Sequence, residues 1–215
     1  MRGPPHKARA RGGRAARCAA AAALLLAAGA SGAQTTAEPQ GEEIEWRPDR
    51  KLAWSDFRGP VDPEASRGVA AVTMVSLEFG YGYAIERSAG LCGYRITEIA
   101  SAAVFHPEAS WVRPEAATDA TLAHEQGHFD LTQVHKLEFE AATRPLLDVR
   151  YTCRYAGAIE QDLLRRVDPV REDVEQRLEA LQAQYDVETG RGTIAAKQRE
   201  WSERIAAALQ RGRWE

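Results

Sequence analysis

The chain has 215 residues and carries 28 basic and 31 acidic side chains, so its formal net charge at pH 7 is −3. Residues 1–33 hold six of the basic side chains and no acidic one, which leaves 22 basic against 31 acidic side chains, a net charge of −9, in the remainder. That balance lacks the clustered lysine and arginine with which proteins bind nucleic acid or anionic lipid. We therefore expect neither as a partner.

The N-terminus has the features of a secretory signal peptide. Basic residues precede an apolar run, CAAAAALLLAAGA, and the small residues Ser31, Gly32 and Ala33 follow it. Because the run is short and rich in alanine, cleavage after Ala33 is expected rather than anchoring in a bilayer. The sequence thus predicts a periplasmic or secreted protein with no integral membrane segment after cleavage. Residues 34–43 are polar and predict a linker.

Residues 44–215 form the predicted single globular domain, which is long enough to bury one hydrophobic core. They contain two cysteines, Cys92 and Cys153. In an exported protein a disulfide between them is the default expectation, and two buried free thiols are the alternative.

The first half of the domain has the alternation typical of β-strands. Between residues 69 and 83 the odd positions are mostly apolar, while the even positions include Ser76, Glu78 and two glycines. This pattern predicts one half-buried strand. A turn at 86–90 and a weaker strand signal over 94–104 complete a predicted antiparallel hairpin.

The second half is predicted to be helical. A long helix is expected over about 118–144, with Thr118 or Asp119 as its N-cap. A second helix follows, with a kink expected at Pro169, and a third begins near Thr193. The elements together predict an α+β fold in which a small antiparallel sheet packs on a long helical hairpin plus a C-terminal helix.

The predicted long helix contains the sequence HEQGHFD, residues 124–130. His124 and His128 are four residues apart, so they lie on one face a single turn apart and can share a metal ion. Glu125 lies about 100° round the helix, where its carboxylate can take a proton from water beside the ion. The pattern predicts metal-assisted hydrolysis with Glu125 as the general base.

A catalytic zinc site of this kind has three protein ligands, and the helix supplies two. His135 is excluded because it lies about 10 Å further along the helix axis than His128. Asp130 points away from the site and is expected to pair with another group. If the second helix folds back on the first, a polar stripe on it faces the histidines. The members of that stripe are Glu175, Glu179, Gln182 and Asp186.

Four segments of the chain resemble, in order, a bacterial family of predicted secreted zinc-dependent proteases that carry an HExxH motif. They are LAWSDFRGPVD, SWVRP, HEQGHFDL and YDVETGRGTIAAKQREW, and the resemblance covers about residues 46–201. It implies a zincin-like architecture, Zn²⁺ bound by His124 and His128, and Glu125 as general base. It implies no substrate more specific than a peptide or protein.

The last segment bears on the third ligand. The family pattern there has Tyr-Asp, then Thr, then His-Gly, which is matched by Tyr185, Asp186, Thr189 and Gly192. The position of the family histidine is Arg191 here, and a guanidinium cannot bind zinc. If that histidine is the third ligand, this chain has lost it. If Asp186 is the ligand, the site survives and Arg191 is free to contact a substrate carboxylate. We prefer Asp186, ahead of Glu179.

The leading hypothesis is a periplasmic or secreted zinc metallopeptidase acting on a peptide or protein substrate. Tyr185 is expected either to donate a hydrogen bond to the oxyanion of the reaction or to lie in the core. The alternative hypothesis, motivated by Arg191, is a catalytically degenerate relative that serves as a metal-binding or protein-binding module of the cell envelope.

Overall fold

The computed structural model describes residues 6–10, 43–65, 68–88 and 91–215. The predicted cleavage site after Ala33 and nearly all of the linker at 34–43 lie outside these residues. Within the described ranges, every helix is too short or too polar to cross a membrane. The chain folds as α+β, with a small antiparallel sheet and three helices, as the sequence predicted.

The described residues contain seven strands. They are β1 (His6–Ala10), β2 (Ile44–Glu45), β3 (Ala71–Val72), β4 (Val75–Ser88), β5 (Leu91–Phe105), β6 (Trp111–Val112) and β7 (Arg150–Cys153). The predicted hairpin is confirmed as β4 and β5, which pair antiparallel along their whole length. β1 extends the sheet beyond β4, and β2 and β7 pair with the two ends of β5 on its other edge.

The three helices are α1 (Asp119–Thr143), α2 (Ile159–Thr189) and α3 (Ala195–Arg211). α1 begins where predicted, because the Thr118 hydroxyl accepts a hydrogen bond from the N–H of Thr121 at 3.2 Å. Pro169 does not interrupt α2, which continues for 31 residues. Pro169 lies on the exposed side of the helix, where the carbonyl group that loses its partner can bind water.

The sheet and the helices share one large hydrophobic cluster. The odd-numbered residues Leu77, Phe79, Tyr81 and Tyr83 of β4 are buried against Phe139 of α1 and against Val167 and Val174 of α2. Their alternation along the strand is therefore the one that the sequence predicted. α3 closes the other side of the helical pair, where Trp201 packs with Leu131 and Leu178. Burial of each such side chain stabilises the fold by about 1.5–3 kcal/mol.

The strand predicted over residues 69–83 is two strands in two different sheets. β3 leaves the main sheet and pairs with β6 instead. The change occurs at Met74, whose N–H donates to the Ser110 hydroxyl at 2.9 Å. The alternation fails in this stretch of the sequence, because Ala70, Val72 and Met74 put apolar residues at even positions as well. Val69 and Val72 are both buried, in a separate cluster with Trp111.

The predicted disulfide joins Cys92 of β5 to Cys153 of β7, two residues that face each other across the sheet. The bridge closes a loop with a sequence separation of 61 residues, which contains all of α1.

Replacing both cysteines by serine is expected to lower the free energy of unfolding by about 4 kcal/mol, because the unfolded chain gains the freedom of the opened loop. Urea unfolding of the double variant and of the wild type, followed by far-UV circular dichroism, measures the difference. The wild type treated with a reductant is the control and should match the double variant. Equal stability of the oxidised wild type and the double variant would contradict the expectation.

Candidate metal centre

Two packed helices bring three potential ligand atoms together. His124 and His128 lie on α1, and their Nε2 atoms are 3.3 Å apart. Asp186 lies in the last turn of α2, with its Oδ1 atom 3.1 Å from each of those nitrogens. Both histidines are 2 % exposed, while Asp186 is half-buried. The three residues, called the triad below, can hold a metal ion.

The imidazole of His128 is oriented by a side-chain amide. The Oε1 atom of Gln182 lies 3.0 Å from His128 Nδ1. The Gln182 amide nitrogen donates to the Thr132 hydroxyl, which itself donates to the backbone carbonyl of His128. This chain places the amide oxygen towards the imidazole, so His128 donates from Nδ1, and in the neutral ring the lone pair is then on Nε2.

An independent chain orients His124 in the same way. The Oε1 atom of Gln198 lies 3.2 Å from His124 Nδ1. The Gln198 amide nitrogen donates to the hydroxyl of Tyr185 at 2.6 Å, and that hydroxyl donates to the backbone carbonyl of His124 at 3.1 Å. His124 therefore also donates from Nδ1, and its Nε2 faces Asp186 with the lone pair that the neutral ring has there.

Nε2 of both imidazoles and Oδ1 of Asp186 are therefore directed at one point, where a proton on Nε2 makes a hydrogen bond to Oδ1 and a metal ion would take its place. Burial works to raise the pKa of the Asp186 carboxyl, but the hydrogen bonds and charges of His124 and His128 outweigh it and hold that pKa below its usual range. Asp186 is thus ionised at neutral pH. When the imidazoles are neutral, their lone pairs and the carboxylate repel one another unless a cation lies between them. The donor set therefore fits a metal ion, whose binding replaces protons at this site.

Glycine at position 127 permits the close approach of α2. A Cβ atom there would overlap the ring of Tyr185. Tyr185 is fully buried, stacks on His124 with ring centroids 4.6 Å apart, and packs against Trp201 of α3. The motif HEQGH thus supplies the four-residue spacing of the two histidines, and its glycine leaves the space that the packing of Tyr185 requires.

Glu125 lies beside the triad without joining it. Glu125 is 4 % exposed, and its carboxylate accepts a hydrogen bond at 2.6 Å from the hydroxyl of Thr73, which is fully buried directly after β3. The break between β3 and β4 places Thr73 there. Oε2 of Glu125 accepts this hydrogen bond from Thr73. Among the described residues, none donates a hydrogen bond to Oε1.

A small cavity of about 20 Å³ connects these groups, and it suffices for one water molecule. It is lined by Val69, Ala70, Ala71, Val72, His124, Glu125, His128, Asp186 and Arg191. β3 and the two residues before it line the cavity together with the triad and Glu125. The cavity can therefore hold a water molecule in contact with both a bound ion and a carboxylate.

The remaining residues singled out from the sequence lie outside the triad. Glu179 is exposed, so Asp186 is the carboxylate that reaches the histidines. Asp130 accepts hydrogen bonds from Trp46 and Gln126 and is no ligand, as predicted. His135 is buried elsewhere, with Nδ1 3.0 Å from the carbonyl oxygen of Leu131. Of the two interpretations of Tyr185, the structure shows the one in which it lies in the core, with its hydroxyl donating to the backbone carbonyl of His124.

Thr73 and Gln198 are functional residues that the sequence reading missed. Each is a polar side chain at a position where the periodicity predicts an apolar one. Thr73 occupies an odd position of the predicted strand, and Gln198 lies on the buried stripe of α3 with Trp201 and Ile205. A polar residue on an otherwise apolar face is the signal that could have identified both.

Comparisons of this chain with protein-family models, with curated proteins and with solved structures found no match. The site is therefore interpreted from its own chemistry. What the fold and the site define together is an α+β protein with a His-His-Asp group that can hold a metal ion beside a buried carboxylate.

The Asp186→Asn variant is expected to lose bound metal, because it keeps the shape of the side chain but removes the only charged ligand of the triad. Elemental mass spectrometry of the purified protein after dialysis should give one metal ion per chain for the wild type and close to none for Asp186→Asn and His128→Ala. His106→Ala removes a histidine bonded to Ser76 outside the triad and serves as the control that retains the metal. Equal metal content in all four proteins would show that the triad is not the site.

Proposed function

We propose that this protein is a zinc-dependent peptidase that hydrolyses peptide bonds with Glu125 as the general base. The observation that carries the proposal is the convergence of His124 Nε2, His128 Nε2 and Asp186 Oδ1 next to the carboxylate of Glu125. Two imidazoles, one carboxylate ligand and one further carboxylate that is not a ligand are the set of groups that metal-assisted hydrolysis uses.

The distances within the triad favour zinc. Bonds of 2.0–2.1 Å in a tetrahedral arrangement separate neighbouring ligand atoms by about 3.3 Å. The three separations in the triad are 3.1, 3.1 and 3.3 Å. Magnesium and calcium prefer oxygen ligands in larger number, so a site with two imidazoles suits them poorly. Three protein ligands leave the fourth tetrahedral position open, as in catalytic zinc sites.

The chain's own residues supply the proton transfers. Bound zinc would provide Lewis acidity, which lowers the pKa of a water molecule and polarises a carbonyl group. Oε2 of Glu125 is held by Thr73, so Oε1 is the atom that accepts the proton of the attacking water and returns it to the leaving nitrogen. The cavity admits about one water molecule, which limits competing solvent around the carboxylate.

We further propose a zincin-like architecture and export from the cytoplasm. The motif lies on a long helix with the short strand β3 beside it, which supports the architecture implied by the family resemblance. The Cys92–Cys153 disulfide is compatible with an extracellular location. Cleavage after Ala33 would remove β1 and leave the edge of β4 unpaired in the mature protein.

Zinc-loaded Glu125→Gln is expected to retain the metal and to hydrolyse peptides about 10²- to 10⁴-fold more slowly than the wild type, because glutamine cannot accept the proton. Incubation with a pool of peptides derived from a cellular proteome, followed by mass spectrometry, measures the hydrolysis. Glu179→Gln removes an exposed carboxylate of α2 and is the matched control. A wild type that binds zinc yet cleaves nothing would instead support the alternative, a metal-binding module of the envelope.

Thr73→Val is expected to lower kcat about 10- to 100-fold without changing zinc content, because the carboxylate of Glu125 loses the hydrogen bond that orients it. Thr73→Ser keeps the hydroxyl and should restore most of the rate. Valine has nearly the shape of threonine, so a loss confined to kcat separates positioning of the base from loss of packing. If the valine and serine variants are equally active, Thr73 has no such role.

A further inference from the structure

The segment between α2 and α3 has an unusual backbone. Gly190, Arg191 and Gly192 all have positive φ values, 56°, 54° and 80°. Glycine adopts this left-handed conformation freely, whereas a residue with a Cβ atom is disfavoured in it. Arg191 is therefore held in a conformation that the surrounding structure must impose.

Contacts with the metal centre impose that conformation. The N–H of Arg191 donates to the carbonyl oxygen of Asp186 at 2.9 Å. Gly192 packs directly on His124, because a Cβ atom at residue 192 would lie 2.8 Å from the Cβ atom of His124. The backbone of Arg191 is thus fixed relative to two members of the triad. Its side chain lines the same cavity as the triad and Glu125.

Among the residues that the structure describes, the guanidinium of Arg191 has no acidic partner. Within the described residues its side chain takes part in no ion pair and no hydrogen bond. The arginines along α2 differ in this respect, since Arg166 pairs with Asp162, Arg171 with Glu175, and Arg177 with Glu138. Arg191 is half-buried, so its charge is partly removed from water without compensation from the protein.

The charges of the site indicate what can compensate it. The carboxylates of Asp186 and Glu125 together balance the charge of a divalent ion, so the charge of Arg191 has no counterion among the described residues that line the cavity. An anionic group of the ligand would neutralise it. In a peptide that group is a carboxylate, which the planar guanidinium binds through two parallel hydrogen bonds.

We infer that Arg191 is a specificity-determining residue that binds a carboxylate of the substrate close to the scissile bond, an inference that rests on the proposed peptidase function. The carboxylate comes either from the C-terminus of the substrate or from an aspartate or glutamate side chain. The substrate class is therefore peptides that present a negative charge within reach of the cavity, and neutral peptides are poor substrates.

Paired synthetic peptide pools test the inference and separate the two sources of carboxylate. One set of hexapeptides without acidic residues is prepared with a free C-terminus and again with an amidated C-terminus. A second, amidated set carries one aspartate or glutamate at each internal position in turn. Zinc-loaded wild type, Arg191→Asn and Arg191→Lys are compared, because asparagine tolerates the left-handed conformation and lysine retains the charge. Arg199→Gln, an exposed position of α3, is the control.

The wild type is expected to cleave the carboxylate-bearing peptides at least about 10-fold faster, in kcat/KM, than their neutral counterparts. Arg191→Asn should lower kcat/KM for those peptides about 10- to 100-fold, mainly through KM, and leave the neutral peptides unchanged. Arg191→Lys should retain part of the preference, and Arg199→Gln all of it. Zinc content should be equal in all four proteins.

Capture of the same pools gives a readout that needs no turnover. Zinc-loaded Glu125→Gln is immobilised, and the bound peptides are quantified by mass spectrometry beside Glu125→Gln/Arg191→Asn. Enrichment of carboxylate-bearing peptides that disappears in the double variant supports the inference, even where the wild type cleaves nothing and the peptidase proposal fails. Hydrolysis with the same preference in wild type and Arg191→Asn, or equal enrichment on both immobilised proteins, overturns the inference and leaves the peptidase proposal standing.

Discussion

Convergence of three ligand atoms on one point is the constraint around which the helical half of this protein is organised. Nε2 of His124, Nε2 of His128 and Oδ1 of Asp186 are separated by only 3.1–3.3 Å. Such an arrangement is unfavourable unless a cation occupies the centre, and it persists only if the surrounding structure holds the three side chains in place. Gln182 and Gln198, each fixed by a second hydrogen bond, provide that support from α2 and α3.

The same helical interface forms both the core and the support of the site. Tyr185 packs between His124 and Trp201 in an apolar cluster, while its hydroxyl links Gln198 to the backbone of α1. A buried hydroxyl and a buried amide would be costly without partners, and here each satisfies the other. Gly127 allows this approach because it has no side chain. Mutations at this interface are therefore expected to affect metal affinity and stability together.

Two segments outside the helix pair position Glu125 and Arg191 at the cavity. The break between β3 and β4 brings Thr73 onto Glu125, which leaves one carboxylate oxygen facing the cavity. The left-handed segment after α2 places Arg191 at the same cavity with its charge uncompensated by the described residues. A general base and a separate cation at one cavity define an orientation for a negatively charged peptide. The proposed peptidase function and the proposed carboxylate preference are thus distinct properties of one small cavity.

The sequence by itself determined the elements whose signals are local. Spacing of four residues on a helix was enough to place His124 and His128 together, and alternation was enough to assign the inward side of β4, because both periodicities follow from backbone geometry. Asp186 was one of several carboxylates on a polar stripe, and only the packing of α2 on α1 decided between it and Glu179. Thr73 and Gln198 lie 52 and 74 residues from their partners in the chain. No local pattern specifies a hydrogen bond over such a separation, so the tautomers of the histidines, the orientation of Glu125 and the isolation of the Arg191 charge were decided by the tertiary structure alone.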